Sequence, residues 1–140
     1  MSQKNNIVNK LRSSGLRPTK QRVKIAEFLF DRTKTFHFTV ENLNKNLNIN
    51  KKSVIENISL ATIYNTVHAF KKAGHLKTIL IKEGVNYFDT NTSAHHHFYD
   101  EEINQLIDIN FNEVEVAKLP RTPKGKKIKN VEVIISLKKN

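Results

Sequence analysis

Three consecutive histidines, His95, His96 and His97, stand in the stretch S-A-H-H-H-F-Y-D-E-E, with more than forty residues after them. On a β-strand, His95 and His97 project from one face and His96 from the other. Two imidazoles on one face hold a metal ion when a third ligand arrives from elsewhere in the fold. Imidazole is also an axial ligand for haem iron. Both kinds of ligation need the neutral ring, so binding weakens below about pH 6.5. The chain has six histidines and no cysteine. Disulfides, thiolate zinc sites and cysteine nucleophiles are thereby excluded, and any metal is held by imidazole and oxygen ligands. Asp100, Glu101 and Glu102 read as a solvated turn, and Asp108 as a weaker candidate ligand.

A second chemical signature lies in I-S-L-A-T-I-Y-N-T-V-H-A-F-K-K-A-G-H. Ser59 is a helix N-cap and Gly74 a C′ residue by type. Leu60, Ile63, Val67 and Phe70 follow the i, i+3, i+4 rule of a buried face. Subtracting that face leaves Thr62, Tyr64, Asn65, Thr66 and His68 directed outward. Hydroxyls and an amide in such a row can bond phosphates and base edges. Charge supports this. Residues 1–82 hold 16 Lys and Arg against 4 Asp and Glu, whereas residues 83–140 hold 8 against 9. The whole net charge of +11 therefore belongs to the front portion, as expected for a module that meets a polyanion. Lys10, Arg12, Lys20, Arg22, Lys24, Lys51, Lys52, Lys71, Lys72 and Lys77 are candidate phosphate contacts. A histidine-ligated metal hydrolase, with Glu101 or Asp89 as base, is disfavoured because no H-E-x-x-H motif is present. An RNA module is disfavoured because stacking aromatics on a sheet face are missing.

The elements that must position these groups can be read from periodicity. Ile7, Val8 and Leu11 have helical spacing, and Gly15 is a plausible stop. A second helix follows Pro18 with Thr19 as its cap; Val23, Ala26 and Leu29 share its face, with Ile25 and Phe30 beside it. A third begins at Thr39, with Val40, Leu43 and Leu47 as its apolar stripe. The Tyr64 helix comes next. H-L-K-T-I-L-I-K and V-N-Y-F-D-T then read as an antiparallel ribbon turning at Glu83-Gly84. Three helices and a two-stranded ribbon, in this order, predict a winged helix-turn-helix with the Tyr64 helix in the major groove. Beyond Asn91 the pattern changes to short strands over H-H-H-F-Y, Q-L-I-D-I and I-K-N-V-E-V-I-I-S-L-K, with a short helix expected over F-N-E-V-E-V-A-K. The expected class is α+β: a DNA-binding winged-helix domain over residues 1–90 and a small α/β dimerisation domain over residues 91–140. About fifty residues make a thin core, and pairing with a second copy would supply the missing burial. No apolar run approaches the roughly 20 residues of a membrane span. The polar stretch Met1 to Asn9 has no secretory core, so a cytoplasmic location is expected.

Together, R-P-T-K-Q-R, I-S-L-A-T-I-Y-N-T-V and F-D-T-N-T-S-A-H-H-H-F resemble the ferric uptake regulator family. The S-L-A-T-x-Y-N-T-x-H helix, with H-H-H-F and the I-D-I strand, is most similar to the iron response regulator branch. The resemblance covers roughly residues 10–138. It implies a homodimeric transcription regulator that binds a double-stranded DNA operator and carries a metal site at a hinge. Tyr64 would contact bases and Arg17 would reach the minor groove; Thr19, Lys20, Arg22, Thr62, Asn65 and Thr66 complete the expected DNA-binding set. His37, Asp89 and His97 map to the hinge ligands, with His95 and His96 as further candidates. The branch implies haem at His95, His96 and His97. A Fur-like repressor sensing iron, manganese or zinc is the alternative. The family's structural zinc, held by two Cys-x-x-Cys pairs, has no ligands here. Tyr99 stands where a further histidine is usual, and no late histidine occurs in K-N-V-E-V.

Overall fold

Each of three helices starts at a hydroxyl residue placed to cap it. Thr19 Oγ1 accepts from the Arg22 amide at 3.3 Å, Thr39 Oγ1 from Asn42 at 3.2 Å and Ser59 Oγ from Thr62 at 3.1 Å. Each bond satisfies an amide the helix itself leaves unpaired. The computed structural model describes residues 3–49, 57–81 and 84–140. Within these, the helices are α1 (Gln3–Ser13), α2 (Lys20–Phe30), α3 (Val40–Asn48) and α4 (Leu60–Lys72). The strands are β1 (His37–Phe38), β2 (Lys77–Leu80), β3 (Asn86–Asp89), β4 (His96–Asp100), β5 (Gln105–Ile109) and β6 (Ile134–Leu137). The architecture is α+β, in two compact units, Met1–Thr92 and Ser93–Asn140. No helix of the described residues is long and apolar enough to cross a membrane.

In the first unit, α1 and α4 end in the same way. Gly15 and Gly74 take positive φ, 77° and 86°. After each, a residue reaches back: Leu16 N–H to Leu11 O at 3.0 Å, and His75 N–H to Phe70 O at 2.9 Å. This is the Schellman pattern, which satisfies terminal carbonyls and needs a residue without Cβ strain at the turn. Apolar residues brought inward by the four helices form one core with Phe38, Leu76 and Phe88. Asn48 fastens the end of α3 to the chain that enters α4. Its Oδ1 accepts from Ile58 N–H at 2.8 Å and its Nδ2 donates to Ile58 O at 3.0 Å.

Two expectations for α4 do not hold. Leu60, in the first turn, is 46% exposed. Thr66 is 0% exposed and completes the inner stripe with Ile63, Val67 and Phe70. Its hydroxyl donates to Thr62 O one turn back, at 2.7 Å. That bond lets a threonine go inside without an orphaned hydroxyl. Thr66 is therefore removed from the outward row. The ribbon also has a third strand: β1 pairs with β3, giving the order β1-β3-β2, antiparallel throughout. Glu83, with Lys51 and Lys52, lies outside the described residues.

His75 ties α1 to the end of α4. Its Nε2 lies 3.1 Å from Ser13 Oγ, and its ring meets Phe30 and Phe70 edge-on. Burial, and then the nearby Lys10 ammonium, hold its pKa below the ordinary imidazole value. As pH falls, the unfolded chain therefore takes up this proton before the native state does. The stabilisation is complete above about pH 6.5, the unfolded value, and is lost as pH falls through it towards the folded one. Urea midpoints followed by helical circular dichroism should fall more steeply between about pH 7 and about pH 5 in the wild type than in His75→Asn. Parallel profiles would refute the linkage.

The second unit is a three-stranded sheet in the order β5-β4-β6, with β4–β5 antiparallel and β4–β6 parallel. The helix expected over residues 111–118 is absent; one 3-10 turn at Phe111–Glu113 stands in its place. Val114 and Val116 alternate with glutamates at period two, both are β-branched, and Pro120 and Pro123 follow. None of this favours helix. The unit is therefore a sheet with one helical turn rather than the α/β domain expected. Among its apolar side chains only Ile109 is buried, whereas Ile103, Ile107, Phe111, Val116 and Leu119 are exposed.

Candidate functional site

The polar face of α4 carries Tyr64 and Asn65, both exposed, as is His68. Tyr64 stacks on His68, with ring centroids 6.0 Å apart and planes at 18°. Its hydroxyl donates to Glu41 Oε1 of α3 at 3.2 Å. The Glu41 charge, then desolvation, then this hydrogen bond raise the Tyr64 pKa above the ordinary phenol value. Tyr64 is thus kept as a neutral donor. Beside it lies a depression of about 120 Å³ lined by Glu41, Tyr64, His68, Asn86 and Phe88 among others. Thr62, half-buried, is engaged in the cap: its Oγ1 shares a hydrogen bond with Ser59 Oγ at 2.8 Å.

At the start of α2, Arg17, Thr19 and Lys20 are exposed and Arg22 is half-buried. Arg22 Nη1 donates to Arg17 O at 3.1 Å, which orders the turn that carries both cations. Arg12, Lys71 and Lys72 are exposed, and Lys24 and Lys77 half-buried. Lys10 differs from these. Its ammonium lies over the Phe30 ring, 4.0 Å from the centroid, and burial lowers its pKa. It packs against the core rather than standing ready for a phosphate.

The candidate ligand histidines fall into two groups, one in each unit. In the first, the β1–β3 register puts His37 opposite Asp89. His37 Nε2 is 3.3 Å from Asp89 Oδ2, and the Asn91 amide holds Oδ1 at 2.8 Å. Asp89 is almost wholly buried. No sequence periodicity announces β1, which is two residues long. It nevertheless places His37 beside a residue more than fifty positions away.

In the second unit, the β4–β5 register puts His97 opposite Asp108. Asp108 Oδ1 lies 3.3 Å from His97 Nε2 and 3.4 Å from His95 Nε2, and the two rings are 4.4 Å apart. The other ring nitrogens decide the tautomers. His95 Nδ1 is 2.7 Å from the Ser93 carbonyl oxygen, and His97 Nδ1 is 3.0 Å from Glu132 Oε1. Each ring therefore has an acceptor at both nitrogens, Ser93 O or Glu132 Oε1 at Nδ1 and Asp108 Oδ1 at Nε2. With the proton of a neutral ring on Nδ1, where the contact is shorter, the two Nε2 lone pairs would face one carboxylate oxygen, and a cation there would relieve their repulsion. His95, His97 and Asp108 offer donor atoms within 4.8 Å of one another, as a divalent ion requires.

His96 is of the opposite kind. It lies buried on the other face of the strand, stacked on Phe111 at 5.5 Å. Its Nδ1 accepts from the Val133 amide at 2.9 Å. The proton of a neutral His96 must then sit on Nε2, which leaves no lone pair for a metal. The expectation that His96 is a ligand is corrected on that ground. Asp108, weak as a sequence candidate, is central here. Glu132 was not foreseen: it lies 35 positions from His97, and nothing local marks it.

A family model described as "Ferric uptake regulator family" matches residues 13–136. The chain is similar to the peroxide-responsive repressor PerR of Staphylococcus aureus, 32% identical over 108 residues spanning 75% of this chain and 69% of that protein. It is similar in structure to the ferric uptake regulator of Pseudomonas aeruginosa with manganese, at a TM-score of 0.67 and 23% identity, covering 99% of this chain and 98% of that one. The Vibrio cholerae ferric uptake regulator gives a TM-score of 0.70 at 23% identity, covering 94% and 98%. At such identities these two likenesses speak to the fold.

Proposed function

The chain belongs to the ferric uptake regulator family, whose members are metal-sensing transcription regulators rather than enzymes, and from that premise we propose that it is a homodimeric repressor whose grip on a DNA operator is set by one divalent cation. The ligands would be His95, His97 and Asp108 of the second unit; His37 and Asp89 of the first unit are a separate candidate pair. The observation that carries this reading is the convergence of His95 Nε2 and His97 Nε2 on one oxygen of the Asp108 carboxylate. Imidazole and carboxylate suit iron, manganese or zinc. A bound cation regulates DNA binding only insofar as it binds the DNA-competent state better than the other.

The haem reading has less behind it. A haem ligand needs an imidazole whose face and Nε2 open onto room for a macrocycle. His97 is 0% exposed, and its Nε2 is directed at a carboxylate. Haem sensing, which the resemblance to the iron response regulator branch implies, is therefore not preferred. The similarity to a protein named as peroxide-responsive favours a second reading, in which the bound metal is iron and peroxide is the signal.

On the DNA side, the first unit would act as a winged helix-turn-helix with α4 in the major groove. Tyr64 and Asn65 would read base edges, while Arg17, Lys20 and Arg22 met the backbone. The exposed apolar residues of the second unit suit a dimer face. A cytoplasmic location fits this role.

Tyr64 provides the test. Duplexes selected from a random pool in the presence of Mn²⁺ should be preferred over scrambled ones, with affinity falling steeply as salt rises. Tyr64→Ala should remove about 1–3 kcal/mol of that preference and leave the salt slope in place. Equal losses on selected and scrambled duplexes would remove Tyr64 from base reading. Hydrogen peroxide added to the Fe²⁺-loaded protein would separate the two signals.

A further inference from the structure

We infer that Glu132 is a positioning residue for the metal centre, holding His97 in the one neutral tautomer that turns the Nε2 lone pair towards the cation position. The inference rests on the reading of His95, His97 and Asp108 as ligands, and it concerns a residue that is not itself a ligand.

Glu132, the His97 imidazole and Asp108 form a carboxylate–imidazole–carboxylate chain, in which a cation would take up the Nε2 side. His97 is fully buried, so its orientation is set by protein groups and not by water. Its Nδ1 meets Glu132 Oε1 at 3.0 Å and its Nε2 meets Asp108 Oδ1 at 3.3 Å. A neutral imidazole has one proton for two such neighbours. The shorter contact, to a carboxylate that is only 16% exposed, claims it. A hydrogen bond to a charged acceptor is stronger than one to a neutral group. It also makes the ring a more basic ligand through its other nitrogen.

Glu132 is not on a free loop. Its neighbour Val133 is bonded on both sides: the Val133 carbonyl accepts from His97 N–H at 3.1 Å, and the Val133 amide donates to His96 Nδ1 at 2.9 Å. The next residue, Ile134, opens β6 and pairs with His97 itself. The strand that brings Glu132 to His97 is thus aligned by His96 and His97. This gives His96 its own part, as an anchor for the Val133 peptide. Removing Glu132 removes the acceptor at Nδ1 and leaves the Asp108 carboxylate at Nε2. That favours the proton on Nε2, which would withdraw the lone pair from the cation position.

The test uses the full-length protein. In metal-free wild type, long-range proton–nitrogen spectra of the histidine rings should show His97 as the Nδ1–H tautomer. Glu132→Ala should shift it towards Nε2–H; Glu132→Gln, whose amide oxygen still accepts, should keep it. Zn²⁺ affinity, measured by competition with a chromophoric chelator, should fall about 10–100-fold in Glu132→Ala and less than about tenfold in Glu132→Gln. An Nε2–H tautomer in the wild type would overturn the inference. So would a folded Glu132→Ala protein with unchanged tautomer or Zn²⁺ affinity. Wild type that takes up neither Zn²⁺ nor Mn²⁺ would instead overturn the proposed metal site, and the metal-free tautomers would still decide what Glu132 does.

Discussion

Asp108→Asn should weaken Mn²⁺ binding by at least about 100-fold while making the metal-free protein more stable, not less. The first effect follows if the proposed site loses its charged ligand, since even partners of ligands cost about 10–100-fold when lost. The second follows from what the amide meets. Asp108 is half exposed, so asparagine fits without repacking. Its NH₂ can donate to His95 Nε2 and His97 Nε2, where the carboxylate offers only lone pairs. Each hydrogen bond gained is worth about 1 kcal/mol, discounted here for the exposure of the site. Metal titration by calorimetry and thermal melts in chelator measure the two effects. Unchanged affinity would mean that Asp108 is no ligand; a lower melting temperature without metal would mean that its carboxylate accepts a proton from the imidazoles.

The other large effect is on folding. Phe70→Ala should cost about 3–5 kcal/mol, the range for deleting a large buried aromatic. Phe70 is fully buried on α4 and meets Phe30 edge-to-face at 5.1 Å and His75 at 6.1 Å. A typical domain is stable by about 5–15 kcal/mol, so the first unit would be left near its limit. Urea unfolding read by circular dichroism measures the loss. A cost below about 1 kcal/mol would contradict the central packing of α4.

Why some features could be read from sequence and others not has a physical pattern. Thr19, Thr39 and Ser59 stand immediately before apolar stripes of period 3.6, and Gly15 and Gly74 after them. Caps and stripes are local, so a single sequence displays them. Thr66 was misplaced because its hydroxyl can be satisfied within its own helix, and composition alone does not show that. The strand β1 was missed because two residues carry no period; it exists through pairing with β3. The cluster of His95, His97 and Asp108 was half visible. Strand alternation separates His96 from its neighbours, but whether an imidazole offers a lone pair depends on what its other nitrogen meets. Val133, Ser93 and Glu132 decide that, and two of the three are remote in the chain. The helix expected at residues 111–118 failed because apolar content was read without its period.

In the second unit the buried side chains are three imidazoles and one isoleucine. An interior of that kind removes little hydrocarbon from water, and hydrocarbon hydration is what gives unfolding its large heat-capacity increment. The free energy holding this sheet together should therefore vary only gently between cold and warm conditions. It should answer instead to cation activity through His95, His97 and Asp108, which would make the unit's cohesion a reading of the metal around it.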